Sequence, residues 1–264
     1  MKKKIVIIGI WAAAIILFLV LVVYVINRYN TNKCRSVAIS IIAPVDCTFI
    51  SEDDVKSYIS KVGDSLINVP LKNINVQRLE SKINENPFVL SSKVYTTING
   101  IVKIDIVQRI PIARVQNSYD QCFYISDDGH LMPLMKGKTA RVLFVNGSVR
   151  DLYWNQINLI VDTAQSKIDT STSYKTLKTV YKIAKFIYYD SFWKAQIQQL
   201  FVNANGDIEL IPLVGKHIII FGDDNNIAEK FDKLKIFYKR AEFINAWDKY
   251  DTININFKGQ VVCS

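Results

Sequence analysis

An uncharged run of 22 residues, from Ile5 to Ile26, is the feature that most limits how this chain can fold. As an α-helix it would extend roughly 33 Å, enough to cross a hydrocarbon core of about 30 Å. A cleavable signal peptide has a shorter apolar region that ends at a small-residue cleavage site, and no such site follows Ile26. Trp11 and Tyr24 lie near the ends of the run, where aromatic rings favour the membrane interface. We therefore predict one uncleaved transmembrane helix over residues 5–26.

The charges that flank this run bear on its orientation. Lysines at positions 2–4 precede it, while Arg28, Lys33 and Arg35 follow it closely, so the two sides carry the same number of basic side chains. The α-amino group and the tight lysine cluster favour an N-terminus inside the cell. We therefore expect residues 1–4 to form a cytoplasmic tail and the chain beyond the helix to face the envelope space.

The charge balance also restricts the partners of the external part. The formal net charge is +9, of which the lysines of the tail carry three, so the remainder carries +6. This mild basic excess suits anionic lipid head groups or an anionic wall polymer. The sequence has no basic run with interleaved aromatics and no helix-turn-helix pattern, so we do not expect nucleic acid as a partner.

Few residues of this chain suit catalysis or metal binding. Its two histidines, His130 and His217, are far apart and are expected to be structural, with His130 on the surface of a strand. The four cysteines, at positions 34, 47, 122 and 263, form no CxxC pair, although a bond between Cys34 and Cys47 stays open. Adjacent acids occur only where Asp is favoured at helix starts and turns, at 53–54, 127–128 and 223–224. We therefore expect no cofactor, no metal and no enzymatic activity.

A first folded module is predicted for residues 36–110. The segment from Val37 to Ile42 is typical of a strand, and Ser51 followed by Asp54 predicts a helix over about 52–61. A second helix is predicted over roughly 73–85, before an Asn-Pro pair that would end it.

A hairpin completes this module. Asn99 and Gly100 lie between two alternating apolar runs, which is a strong hairpin signal. The order strand, helix, helix, strand, strand predicts a three-stranded sheet with both helices on one face. The expected core residues of this sheet are Val94, Ile98, Val102, Ile104 and Ile106.

A second region, residues 112–264, is predicted to be an α+β domain with a mostly antiparallel sheet and flanking helices. Several short strands with turn residues precede and follow a polar, weakly patterned stretch at 149–172, which we interpret as a loop insertion. An apolar stripe over 177–188 and another over 225–243 predict two helices. The first helix carries four lysines opposite its stripe, either as a solvated face or as a contact for an anionic partner or lipid: Lys175, Lys178, Lys182 and Lys185.

The last strand-like segments, 252–257 and 260–263, are the most informative for binding. Ile253, Ile255 and Phe257 alternate with asparagines, so one face is expected to pack inward while the backbone edge stays available. From the residues alone, completion of the sheet is favoured over acceptance of a partner strand, which stays open as the alternative.

Three local patterns, in this order, resemble the FtsQ/DivIB family of bacterial cell-division proteins. They are IVQRIPIARV at 106–115, FYISDDGHLMPL at 123–134, and IELIPLVGKHIIIFGDDNNIAEKFDKLKIFYK at 208–239 with the closing ININF strand. The first module is similar to a POTRA domain. Gln108 stands where the family often has Glu. The resemblance covers nearly the whole chain except 149–172.

The resemblance implies a non-enzymatic, single-pass scaffold of the division machinery at the septum of the cytoplasmic (inner) membrane, which links early and late division proteins. It implies that the terminal strands bind small single-pass coiled-coil division proteins (FtsB/FtsL-like), alongside other membrane division proteins. The positions that match the family's partner-binding strands and the helix before them are Phe257, Gly259, Val261, Val262, Tyr238, Phe243 and Trp247. An envelope enzyme that acts on a wall polymer, and a POTRA-type chaperone or receptor for envelope proteins, stay open as alternatives.

Overall fold

The computed structural model of the chain describes residues 2–44, 47–61, 66–154, 158–159, 174–240 and 249–264. Its contacts divide the chain into two units. The first consists of Met1–Ile42 and Ile50–Gln108, and the second of Ala43–Phe49 and Arg109–Ser264.

The first unit begins with one long helix, α1 (Lys2–Thr31). The side chains described in this helix run from Ile10 to Val25, and all but Val22 are exposed. Judged over the described residues, the structure contains no helix long and apolar enough to span a membrane.

The first unit contains a three-stranded sheet in the order β1-β3-β2, formed by β1 (Ser36–Ile42), β2 (Val89–Thr96) and β3 (Ile101–Gln108). β1 runs parallel to β3, and β2 pairs with β3 as the predicted hairpin. Of the five residues predicted for the core, four are buried, but Ile98 is 76% exposed because it lies in the turn between β2 and β3. The prediction for Ile98 is therefore wrong.

Two helices join β1 to β2, and local capping sets where they begin. Helix α2 (Glu52–Lys61) starts as predicted, because the backbone N–H of Asp54 donates to Ser51 Oγ and the N–H of Ser51 donates to the Asp54 carboxylate. A short 3-10 helix, Leu71–Asn73, precedes α3 (Val76–Asn84). Because Asn75 accepts a hydrogen bond from the N–H of Arg78, α3 begins later than the predicted residue 73.

The described part of the second unit contains one nine-stranded sheet in the order β12-β11-β10-β9-β8-β7-β4-β5-β6. Five of its eight strand pairs are antiparallel, while β4–β7, β7–β8 and β10–β11 are parallel, so the sheet is mixed. The strands are β4 (Pro111–Gln116), β5 (Cys122–Ser126), β6 (Leu131–Pro133), β7 (Leu143–Gly147), β8 (Ile197–Val202), β9 (Ile208–Pro212), β10 (Ile218–Gly222), β11 (Thr252–Asn254) and β12 (Val262–Cys263).

Helices α4 (Lys175–Tyr189), α5 (Ser191–Gln196) and α6 (Ile227–Lys239) supply side chains to one core cluster with the sheet. The fully buried ring of Phe231 lies within about 5 Å of those of Phe186, Trp193 and Phe221. The periodic apolar stripes therefore pack as predicted, although α6 begins two residues later than expected, and residues 241–248 lie outside the described ones.

The lysines of α4 are not a uniform solvated face. Lys182 forms an ion pair with Asp224 at 2.5 Å, and Lys185 contacts the Asp127 carboxylate at 3.2 Å and the hydroxyl of Tyr181. Lys182 and Lys185 are therefore occupied within the unit, which weakens the interpretation of this stripe as a contact for an anionic partner.

The beginning of the predicted insertion packs into the core. Val149 and Leu159 are buried, and the buried Asp151 accepts a hydrogen bond from the N–H of Leu177 in the first turn of α4. Burial raises the pKa of Asp151 to about 6, against the lowering effect of that hydrogen bond. The rest of the insertion, 155–157 and 160–172, lies outside the described residues.

Candidate partner-binding edge

The candidate site is the end of the nine-stranded sheet formed by β11 and β12. β11 pairs with β10 on one side and with β12 on the other, with Ile253 opposite Cys263. The backbone groups of Thr252 and Ser264 exchange two hydrogen bonds, at 3.1 and 3.2 Å. The outer edge of β11 is therefore covered by β12, and among the described strands none pairs with the outer edge of β12.

This arrangement corrects the strand predicted for 252–257. β11 ends at Asn254, although Ile255 is still buried and its N–H bonds to the carbonyl of Ile220. The chain then turns, so Phe257 is 49% exposed and does not share the buried face of Ile253 and Ile255. Gly259 lies in this turn with a φ of +71°, which favours glycine, and nothing lies within 4 Å of a Cβ added there.

The turn between β11 and β12 is held to the unit by polar contacts. Lys233 Nζ, on α6, donates to the carbonyl oxygens of Ile255 at 3.0 Å and Phe257 at 2.5 Å. Gly222, at the end of β10, lies so close to Asn256 that an added Cβ would be 2.5 Å from its side chain. These contacts fix the backbone that leads into β12.

The seven residues expected at the site differ in their accessibility. Phe257 and Val262 are exposed, Val262 by 44%, and Gly259 is exposed between them. Val261 is half-buried against the core cluster. Trp247 lies outside the described residues, as does Phe243.

Tyr238 is not a surface contact. Its side chain is buried, and its hydroxyl lies 2.9 Å from Nε2 of the buried His217, next to the ring of Trp193. Burial holds the pKa of the Tyr238 hydroxyl well above its ordinary value. Tyr238 therefore supports α6 from within the core, and His217 is structural as predicted.

Asp128, which lies far from the β12 edge in the sheet order, is the centre of a hydrogen-bond network at the turn between β5 and β6. Asp128 accepts from Arg109 Nε at 2.9 Å, from Ser126 Oγ at 2.5 Å, and lies 2.8 Å from Nδ1 of His130. Burial alone would raise the pKa of Asp128, but these hydrogen bonds from His130, Ser126 and Arg109 hold it well below its usual range. The network secures the turn between β5 and β6, and His130 belongs to it rather than to a bare strand surface.

In the part of the chain that is described, no group of three or more histidines, cysteines and acids could hold a metal ion. The structure contains no disulfide among the four cysteines, so the bond left open between Cys34 and Cys47 gains no support from it. Burial raises the pKa of the Cys263 thiol, which disfavours the reactive thiolate.

Sequence reasoning missed Lys233. Its contacts are 22 and 24 residues away in the chain, and the lysine occupies an ordinary polar position on an amphipathic helix. No periodicity or motif distinguishes it from Lys235 or Lys239 on the same helix. The close contact of Gly222 with Asn256 was also not predicted, although an isolated Gly at the end of a strand often marks a close backbone approach.

Two family models match the chain. A model of the FtsQ/DivIB, C-terminal related family matches residues 110–264, and a model of the POTRA-like domain matches residues 32–107. No curated protein matches the chain.

Proposed function

Because the chain belongs to the family of FtsQ/DivIB C-terminal related proteins, we propose that it is a non-enzymatic scaffold of the bacterial divisome that links early and late division proteins. In this proposal, β12 accepts an extended segment from a small single-pass coiled-coil division protein. The position of β12 at the end of the sheet, with no described strand on its outer side, is the observation that carries the proposal.

The hydrogen-bond register identifies which backbone groups a partner strand would use. In an antiparallel pair, residues alternate between facing the neighbouring strand and facing away. Thr252 and Ser264 exchange their bonds, so Val262 also faces β11, and the N–H and C=O groups of Val261 and Cys263 face outward. A partner segment would bond to these outward groups, and exposed Phe257 and Val262 would supply side-chain contacts beside it.

A substitution at Val261 tests this register. Val261→Pro removes an outward N–H without touching the bonds between β11 and β12, so we expect it to abolish co-purification of the coiled-coil partner with the full chain. Val261→Ala keeps the N–H and should retain most of the binding. Truncation after Lys258 should also abolish binding, while both units stay folded by circular dichroism. Wild-type binding by Val261→Pro and by the truncated chain would mean that the partner binds elsewhere.

We extend the proposal to the membrane, with residues 5–26 as a single uncleaved anchor and residues 36–264 in the envelope space. The support for this assignment is the sequence, in which 22 residues from Ile5 to Ile26 carry no charge. Protease added to spheroplasts should digest a C-terminal tag, and alkaline extraction should leave the chain in the membrane fraction. Protection of the tag would reverse the orientation, and release by alkali would refute the anchor.

Localisation in growing cells separates the scaffold from the two other functions. A fluorescent fusion of the full chain should form a mid-cell band at the septum. Uniform envelope fluorescence would instead favour a wall-polymer enzyme or a POTRA-type receptor, because neither function requires concentration at the division site. In this proposal, the POTRA-like module at residues 32–107 also contributes to the recruitment of membrane partners.

A further inference from the structure

A cleft of about 660 Å³ opens in the second unit, where the parallel strands β4, β7 and β8 begin and α4 ends. Its volume falls within the range of about 300–1,000 Å³ that is typical of ligand sites. Its floor consists of buried core residues, including Ile112, Leu143, Ile187 and Ile197. A group that enters this cleft therefore meets apolar side chains that are already fixed by the core.

The rim of the cleft is cationic. Arg141 and Lys194 are the charged side chains that line it, and both are exposed. Other lysines of the unit pair with carboxylates, such as Lys235 with Asp190, but within the described residues no carboxylate lies at ion-pair distance from Arg141 or Lys194. Lys194 Nζ instead lies 4.0 Å from the centre of the Tyr188 ring, which also lines the cleft. The rim is thus suited to an anion beside an apolar group.

Two β-bulges place their extra residues at this cleft. The pairing of β4 with β5 shifts between Pro111 and Ala113, and that of β8 with β9 shifts between Ile197 and Gln199. The bulged residues are Ile112 and Gln198, and both line the cleft. A bulge leaves its extra residue out of the ladder, and bulges are common beside functional sites. Ile112 is itself buried, but Gln198 is exposed, so its side-chain amide can bond to an amide group of a ligand, which favours a peptide over a lipid.

We propose that this cleft binds a short extended peptide segment of a partner protein, in which a carboxylate side chain neighbours a large apolar residue. The apolar side chain occupies the floor over Leu143 and Ile197, and the carboxylate lies at the rim between Arg141 and Lys194. This site is separate from the edge of β12, and the proposal does not depend on strand addition there.

Fluorescence anisotropy with the full chain in a neutral detergent tests the proposal. The probes are four fluorescein-labelled octapeptides in a glycine-serine background, each with Glu or Asp next to Phe or Leu, and four matched peptides with Lys in place of the acid. The acidic peptides should bind, and the lysine peptides should bind at least tenfold more weakly. Failure of all four acidic peptides to bind at 1 mM protein (about the weakest affinity of interest), or equal binding of both sets, would overturn the proposal.

Variants locate the binding in the cleft. Arg141→Glu with Lys194→Glu should weaken the acidic peptides at least tenfold, and Leu213→Ser, at an exposed rim position, should weaken them about threefold by removing an apolar contact. Lys72→Glu with Lys136→Glu makes the same change in net charge at exposed positions outside the lining and should leave affinity within twofold. Arg141→Lys with Lys194→Arg keeps both charges and should retain binding. Unchanged affinity in the Arg141→Glu, Lys194→Glu variant would refute this location.

Competition distinguishes the two sources of an amphipathic anion. Inorganic phosphate at constant ionic strength should not displace the acidic peptides, because it lacks an apolar group. Dihexanoyl phosphatidylglycerol should compete only weakly. One outcome would contradict the peptide proposal: phosphatidylglycerol binds, the double variant Arg141→Glu, Lys194→Glu abolishes this binding, and the acidic peptides do not bind. The occupant of the cleft would then be a lipid. The Val261→Pro variant should bind the acidic peptides normally, which separates this test from that of the β12 edge.

Discussion

Strands β6 and β12 lie at opposite ends of the same nine-stranded sheet, but different residues lie along their outer edges. Beside β6, His130 forms a β-bridge with Asn158, and the N–H of Leu159 donates to the carbonyl of Gly129 at 2.8 Å. β6 also contains Pro133, which has no N–H to offer to another strand. β12 has neither feature among the described residues. Among the described residues, the outer edge of β6 is therefore covered, whereas no strand pairs with the outer edge of β12; we refer to these as the closed and the open end of the sheet.

The two ends are also stabilised differently. Leu131 and Met132 of β6 are completely buried, whereas Val262 of β12 is exposed and β12 itself has only two residues. The β12 end relies instead on Lys233, which bonds to the backbone of the preceding turn. Side-chain burial couples an edge to global stability, whereas a few polar contacts leave it able to open locally. This difference suits an edge that accepts a partner, and four substitutions test it.

The largest effect is expected for Leu131→Ala at the closed end. The side chain is completely buried in the core cluster, so its truncation should lower the free energy of unfolding by about 2–5 kcal/mol. Val262→Ala, at the other end, should change it by less than about 0.5 kcal/mol, because that side chain is exposed. Urea denaturation measures both. Similar losses for the two variants would show that the ends are equally coupled to the core.

Asp128→Asn should have a smaller effect at the same closed end. The carboxylate accepts from Arg109 and Ser126 and contacts His130, so its replacement should cost about 2 kcal/mol at pH 7. Because the folded-state pKa of Asp128 is lowered, this stability is present above the unfolded pKa of about 4 and is lost as pH falls through the folded value. The difference between the variant and the wild type should therefore shrink progressively below pH 4. Asp207→Asn, in the exposed turn before β9, is the control, and a pH-independent difference would contradict the assigned cause.

Local sequence signals predicted the individual helices and strands of both units better than they predicted the order in which the strands assemble into the large sheet. The hairpin at Asn99 and Gly100 and the start of α2 depend on neighbouring residues, and both formed as predicted. Ile98 shows the limit of this reasoning, because its apolar character suggested the core although it belongs to the turn. The order of the nine strands depends on pairing between distant segments, which periodicity does not encode.

The candidate site shows where a resemblance and a residue pattern conflict. Tyr238 belongs to the apolar stripe of α6, which already predicted burial, and the structure buries it against His217. Its assignment to the binding surface came from position in the family alone. The role of Lys233 could not be predicted, because a lysine that bonds to carbonyls 22 and 24 residues away carries no local signal.

Lys233→Met should loosen the open end without unfolding the unit. Met keeps most of the aliphatic stem and removes both hydrogen bonds to the turn, so we expect a local loss of about 1 kcal/mol. Hydrogen exchange of the Ser264 amide, which bonds to the carbonyl of Thr252, should become about five- to tenfold faster. Lys235→Met, on the same helix but paired with Asp190, should leave this exchange unchanged. Unchanged exchange in Lys233→Met would show that the two hydrogen bonds from Lys233 do not hold β12 in place.

Gly259→Ala should have the smallest effect, because it changes only the conformational preference of the turn before β12. The φ of +71° costs a residue with a Cβ about 1 kcal/mol, and no atom lies within 4 Å of the added carbon to add a clash. Local opening of β12 should therefore increase up to about fivefold in hydrogen exchange, with global stability nearly unchanged. Gly259→Asn should have a weaker effect, because Asn tolerates this backbone conformation better. Gly147→Ala provides the contrast within the sheet. Its added Cβ would lie 2.2 Å from the carbonyl oxygen of Val202, so this substitution should lower global stability markedly. If Gly259→Ala lowered global stability as much as Gly147→Ala, the turn before β12 would be part of the cooperative core, and the distinction between the two ends of the sheet would fail.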